Sequence, residues 1–214
     1  MSRISVIGGT GYAGSAIVAE AAARGHQVTA FSRSLPAEPV AGVTYVQGDA
    51  ADEAALAKAV SGADVVVGAL APRGALAGVL RDVYRTVARL ADAGNAPLFV
   101  VGGYSSLRPA AGAPRFATDL SHAPAEIHNE LLTMTAVVDE DLPATPETLD
   151  WVFVSPAGTF GSFAPGERRD TYRVGDDVAL RPGGGEISGP DYAIGFVDLI
   201  ERREHHRAHL NLAY

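Results

Sequence analysis

The chain has no cysteine, and its only lysine is Lys58, beside sixteen arginines. The first absence excludes disulfides and thiolate metal sites, and the second leaves a single amine for any acid–base pairing. No apolar run approaches the length of a membrane span, and no repeat or low-complexity tract divides the 214 residues. Positive charge is also scarce: 17 Lys and Arg against 25 Asp and Glu give a formal charge of −8, which argues against a broad nucleic-acid surface. The opening MSRISVIGG runs directly into an apolar segment without the pattern of a signal peptide. The expectation is one soluble, cytoplasmic domain, a monomer or homodimer, with no nucleic-acid or membrane partner.

Glycine is abundant where it is costly. GGTGYAGSA, residues 8–16, places four glycines in seven positions, although glycine loses more backbone freedom on folding than any other residue. Before it stands the β-branched run Arg3–Ile7, and after it the helix-forming stretch Ser15–Arg24 with Gly25 as its stop. Strand, glycine turn and helix, with Gly8, Gly11 and Gly14 at G-x-x-G-x-x-G spacing, form a variant of the dinucleotide fingerprint. One glycine turns the chain, one admits a pyrophosphate to the backbone, and one lets helix and strand pack closely. The loop Gly8, Thr10, Gly11, Tyr12, Ala13 and Gly14 is therefore the first candidate cofactor site, with the helix N-terminus facing the phosphates.

Apolar runs alternate with helical stretches along the rest of the chain. Strands are predicted at Val28–Phe31, Val43–Val46, Asp64–Ala69, Pro97–Val101 and Trp151–Val154, and helices at Asp52–Val60, Ala75–Ala93 and Pro124–Glu140. In the second of these helices Leu76, Val79, Leu80, Val83, Val87 and Leu90 share one face. Continuously apolar strands between helices indicate a parallel sheet covered on both faces. The predicted fold is a single-domain α/β, Rossmann-like doubly wound parallel sheet in the order 3-2-1-4-5-6, with its site in the loops at the strand carboxyl ends. A small C-terminal region, residues 162–190, would supply the substrate wall. Within it Arg173–Val178 reads as a hairpin turn, Pro182–Gly185 as a glycine loop, and Ser188 as the N-cap of a helix beginning Pro190-Asp191-Tyr192. His205, His206 and His209 read as a surface cluster rather than a metal site, since on a helix only the first and last would share a face.

The loop after the second strand selects the dinucleotide. NAD-binding folds place an acid about 20 residues beyond the glycine motif to hold the ribose 2′-hydroxyl, yet no Asp or Glu lies between Glu20 and Glu38. Ser32 and Arg33 stand there instead, a hydroxyl and a guanidinium suited to a 2′-phosphate. NADPH is the expected cofactor, with NADH as the lesser option.

The stretches GGTGYAG, GDAAD (48–52), VVGGYSSL (100–107) and FVSPAGTFG (153–161), with APGERRDTYRVGDD and ISGPDYAIGFVDLIE towards the end, resemble the atypical short-chain dehydrogenase/reductase families of NAD(P)H-binding proteins, in particular the small NADH-flavin reductase group. The resemblance covers nearly the whole chain. It implies that Asp49 and Ala50 border the adenine, that Ala69, Leu70, Ala71 and Pro72 run beneath the cofactor, and that Ser155 approaches the nicotinamide. Ser106 matches the serine of the family loop GGAGSL, whereas Tyr104 puts a phenol where that loop has a small residue, a change expected to reshape the substrate pocket. Relatives that work as alcohol dehydrogenases use Tyr-x-x-x-Lys, which cannot form here because the residue four before Lys58 is Ala54.

An acceptor that stabilises its own negative charge, such as FMN, FAD or a quinone, needs no such pair, because the difficult chemistry belongs to the ring. The implied activity is an NADPH-dependent reductase of a small-molecule acceptor, with His128 and Ser106 as the candidate proton donors or hydrogen-bonding groups. The alternatives are a redox-sensing protein that binds NAD(P) without turning it over and, less favoured, an NAD-dependent epimerase or dehydratase.

Overall fold

Strand β1 (Arg3–Ile7) has Ile4, Val6 and Ile7 sealed from solvent and lies inside an eight-stranded sheet of the computed structural model, which describes residues 1–121 and 123–214. The other strands are β2 (Gln27–Ser32), β3 (Thr44–Gln47), β4 (Val65–Gly68), β5 (Leu98–Val101), β6 (Trp151–Pro156), β7 (Arg173–Gly175) and β8 (Ala208–Ala213). Their order is β3-β2-β1-β4-β5-β6-β8-β7, and every pairing is parallel except that of β7 with β8. The predicted 3-2-1-4-5-6 order is present and the fold is Rossmann-like. Two further strands extend its edge.

Neither extension follows from the reading of the sequence. The segment expected as a hairpin turn contains β7, which pairs with β8 from Arg173↔Ala213 to Gly175↔Asn211. The segment bearing the histidines is not helical, because the last helix stops at Arg202 and His209 lies within β8. His206 is exposed and bonds Asp150, while His209 points into a hydrogen-bonded network described below. The surface-cluster reading is thus corrected for His209.

The helices are α1 (Tyr12–Ala23), α2 (Glu53–Val60), α3 (Leu80–Ala93), α4 (His128–Ala136) and α5 (Gly189–Arg202). Helices α1 and α5 pack together on one face of the sheet, over Val6, Val65, Val67 and Val154; α2 and α3 cover the other over Ile7, Val66, Leu98 and Phe153. Alternate residues of one strand thus feed opposite cores, which is why the strands read as continuous apolar runs. Helix α3 begins five residues later than predicted: Gly78 takes φ +81°, a conformation no helix continues through, and Val79 is left 40% exposed at the N-cap. The predicted Pro124–Glu140 helix is divided into a 3₁₀ turn (Ala125–Ile127), α4 and a π-helical turn (Val137–Asp141). That wider turn places the buried Asp141 carboxylate against both Arg81 and Arg85 of α3. Among the described residues no helix is long and apolar enough to cross a membrane.

Candidate functional site

The turn between β1 and α1 shows what each glycine does. Gly8 has φ +90°, and a Cβ on it would lie 2.3 Å from the Ala69 carbonyl oxygen at the end of β4. Gly14, in the first turn of α1, passes so close to Gly8 that a Cβ would stand 2.1 Å from its oxygen. Gly11 is different. A Cβ there would meet only Gly8 O, at 3.4 Å, and the residue is exposed. Gly11 is also the N-cap of α1, where no side chain caps the helix and no acid occupies the first turn. The donors that begin every helix are therefore open here to water or a ligand, beside an open space bounded by backbone. These features fit a dinucleotide pyrophosphate, with Thr10, Tyr12 and Ala13 half-buried along the same loop.

The rim on either side is built from the ends of β2, β3 and β4. Ser32 closes β2 with its hydroxyl donating to Ser34 O at 2.8 Å, and the neighbouring Arg33 is exposed; its carbonyl accepts from Gln47 while its guanidinium has no partner among the described residues. Asp49 is exposed and accepts from Ala51 N, Ala50 is buried in the core, and Asp52 caps α2 through Ala54 N and Ala55 N. At the end of β4, Ala69 N donates to Ile7 O, and the buried Tyr84 hydroxyl bridges Gly68 and Leu70. Ala71 is exposed and Pro72 buried in the same loop. Arg73 beyond it grips Glu130 of α4 with two guanidinium nitrogens.

Past β5 and β6 most polar side chains are engaged within the chain, Ser105 excepted, whose buried hydroxyl has no partner among the described residues. The Tyr104 hydroxyl donates to Arg181 O and Pro182 O at 3.0 and 2.9 Å, its ring stacks on Phe116, and burial raises its phenol above the ordinary value of 10. Tyr104 thus holds the glycine loop of residues 182–185. That loop in turn accepts Gly158 N and Thr159 N at Gly184 O and Gly185 O. Tyr12 does the same on the other side, donating to Pro165 O and packing edge-on against Phe160. Residues 158–185 are in this way stitched to both the glycine loop and the loop after β5. Ser106 is buried with its hydroxyl 3.1 Å from that of Thr135, and the His128 Nε2 lies 2.8 Å from Ala123 O. Arg168 and Arg169 pair with Glu20, Asp170 and Glu186.

Ser155 is buried between Gly103 O and the ring of His209, both 2.8 Å away. The other ring nitrogen of His209 lies 3.2 Å from Arg115, which also binds Asp139 and Ser106 O. Sequence reading found neither Arg115 nor the role of His209. The one available signal was a charged and a titratable residue beside apolar stretches, which does not distinguish surface from interior.

Comparison with known proteins agrees with this fold. Protein YwnB of Bacillus subtilis is 31% identical over 208 residues, covering 95% of this chain and 94% of its own. A solved structure from Burkholderia pseudomallei, a "putative exported protein", superposes with a TM-score of 0.84 at 35% identity over all of both chains. Another from Streptococcus pneumoniae, a "putative NADH-flavin reductase", gives a TM-score of 0.81 at 28% identity over 100% of this chain and 99% of its own. The model of the NAD(P)H-binding family matches residues 8–202, from the first glycine of the fingerprint to the last residue of α5, and the chain belongs to that family.

Proposed function

We propose that the protein is a reductase that takes NADPH in preference to NADH and passes its reducing equivalents to a flavin or quinone-like ring. The observation that carries this reading is the state of the polar side chains around the expected nicotinamide end. Tyr104, Ser106, His128 and Ser155 each have their hydroxyl or ring nitrogen engaged with groups of the chain itself. Lys58, the only lysine, is on α2 and has no tyrosine four residues before it. A site without a free acid suits an acceptor that accommodates negative charge in its own ring and takes its proton from water. The name of the Streptococcus pneumoniae neighbour supports the same acceptor class.

When bound, the dinucleotide supplies the hydride. The chain's part is to hold and exclude: the N-terminus of α1 and the open side of Gly11 take the pyrophosphate, and Arg33 takes the 2′-phosphate. Asp49, Ala50 and residues 69–72 flank the cofactor, while Tyr104 and the loop it holds form the acceptor wall. Steady oxidation of NADPH, followed by nicotinamide absorbance with FMN, FAD or a benzoquinone present, is the test. Tight NADPH binding without turnover of any such ring would favour a sensor.

Arg33→Ala should remove most of the preference for NADPH. A charge-assisted hydrogen bond is worth roughly 1.5–3 kcal/mol, or about one to two decades of affinity. Equal affinities of the unmodified protein for NADPH and NADH in a fluorescence titration would remove Arg33 from this role.

A further inference from the structure

Residues from three distant parts of the chain meet beneath the loop after β5, and their hydrogen bonds have a definite direction. Arg115 Nη1 lies 3.2 Å from His209 Nδ1 and also donates to Ser106 O, while Asp139 takes the Nε side of the same guanidinium at 2.7–2.8 Å and Asp177 stands 3.5 Å from Nη1. A guanidinium has donors only. His209 Nδ1 must therefore accept from Arg115, so the ring of the neutral histidine carries its proton on Nε2. That Nε2–H donates to Ser155 Oγ, leaving the serine hydroxyl to donate to Gly103 O.

The run Arg115 to His209 to Ser155 to Gly103 thus points one way throughout. A serine beside a histidine suggests an activated nucleophile, but here the facing nitrogen already holds a proton and cannot accept one from Ser155. The chain of bonds ends instead on a backbone carbonyl. Arg115 grips one carbonyl of the loop directly, at Ser106, and a second through the two side chains, at Gly103, so the turn Tyr104–Ser106 is held at both ends. Phe153, edge-on to the His209 ring, fills the space against Gly102, where a Cβ would come within 2.2 Å of it.

We propose that Arg115, His209 and Ser155 are positioning residues for the acceptor side of the site, fixing the turn that carries Tyr104 and with it the placement of the acceptor. This rests on the reductase reading above. His209→Gln preserves the order of donors and acceptors, its carbonyl facing Arg115 and its amide N–H facing Ser155, whereas His209→Leu removes both bonds.

The expected result is a Gln variant within about threefold of the unmodified protein in acceptor kcat/KM, and a Leu variant at least about tenfold worse, with NADPH Kd from fluorescence titration unchanged in both; a shift of ~1 Å in a positioned group costs on the order of 10²-fold. Should the Leu variant fail to fold, Ser155→Ala, which cuts the run at its last link, is expected to show the same defect. A folded Gln variant as impaired as Leu would overturn the proposal in favour of proton transfer through the ring. Full acceptor activity in the Leu or the Ser155→Ala variant would overturn it as well. If the unmodified protein binds NADPH but reduces no ring, the reductase reading fails, and crystal structures decide the positioning alone. A turn 104–106 displaced by more than about 0.5 Å in the Leu variant supports it, and an unmoved turn refutes it.

Discussion

Gly11 and Gly14 are three positions apart and indistinguishable as letters, yet their surroundings demand opposite outcomes on substitution. At Gly14 even a methyl group would collide with the backbone of Gly8 at 2.1 Å, whereas at Gly11 the nearest atom is 3.4 Å away and φ is −72°. Gly14→Ala should therefore destabilise the fold, visible as a lowered urea midpoint. Gly11→Val should cost no more than about the 1 kcal/mol of a poorer N-cap while abolishing NADPH binding, because its side chain would occupy the pyrophosphate space. Unchanged NADPH affinity in a folded Gly11→Val protein would show that the dinucleotide lies elsewhere. At the acceptor end, His128 is hydrogen-bonded to Ala123 O. His128→Ala should keep NADPH:flavin activity within about tenfold, or roughly 1.4 kcal/mol in the barrier. A thousandfold collapse with cofactor affinity intact would identify a dedicated proton donor instead.

The elements were legible to different degrees. Helix α5 was placed correctly at its start, where Ser188 accepts from Asp191 N as an N-cap with Pro190 behind it. What no local rule shows is the second duty of Asp191. Its buried carboxylate accepts from Arg169 N, Asp170 N, the Ser188 hydroxyl and the Tyr214 hydroxyl. Burial pushes this carboxyl up, but those hydrogen bonds outweigh burial and leave its pKa below the ordinary 3.8. Helix start, loop and last residue of the chain are joined at one group. Ser188→Ala should cost about 1 kcal/mol, as for a lost cap. Asp191→Asn, which turns one of the two acceptor oxygens into a donor facing donors, should cost more, in the order of 1–3 kcal/mol for each buried group left unsatisfied. Urea denaturation compares the two, and equal midpoints would deny Asp191 its joining role.

Across the molecule, the His209 network couples stability to pH. Burial first, and Arg115 second, depress the imidazole from 6.5 to about 3. The unfolded chain therefore binds a proton below about 6.5 that the folded chain does not bind until about pH 3. The stabilisation is complete above the unfolded value and is lost as pH falls from 6.5 towards 3, by as much as ~1.4 kcal/mol per pH unit within that window. Asp191 and Asp198, depressed from 3.8, add to the loss only at the acid end, and Glu201, depressed from 4.5, begins to add to it near pH 4.5. Between pH 6 and 4.5 the slope should belong mainly to His209, and His209→Gln should flatten it in denaturation series. An equal slope in the Gln variant would place the titrating group elsewhere.

What the sequence determined by itself was whatever depends on near neighbours. The strand, glycine turn and helix of residues 3–23 and the α5 cap follow from side-chain period, turn chemistry and backbone sterics within a few positions, the alternation of apolar strands with helices implied the six-strand order, and the family resemblance rested on the motifs themselves. The tertiary structure alone decided the partners of polar side chains. Arg115 and His209 are 94 residues apart, and Ser155 is 54 from His209, so nothing local in the sequence links them. The same holds for β7 and β8. The first read as a hairpin turn and the second only as a surface histidine cluster, but Asn211 accepts from Leu180 N and donates to Ser155 O, becoming a crosslink once the sheet edge supplies partners. Apolar periodicity survives as a signal because the hydrophobic effect is non-directional. A hydrogen bond needs a particular donor and acceptor at a particular place, and folding has first to bring them there.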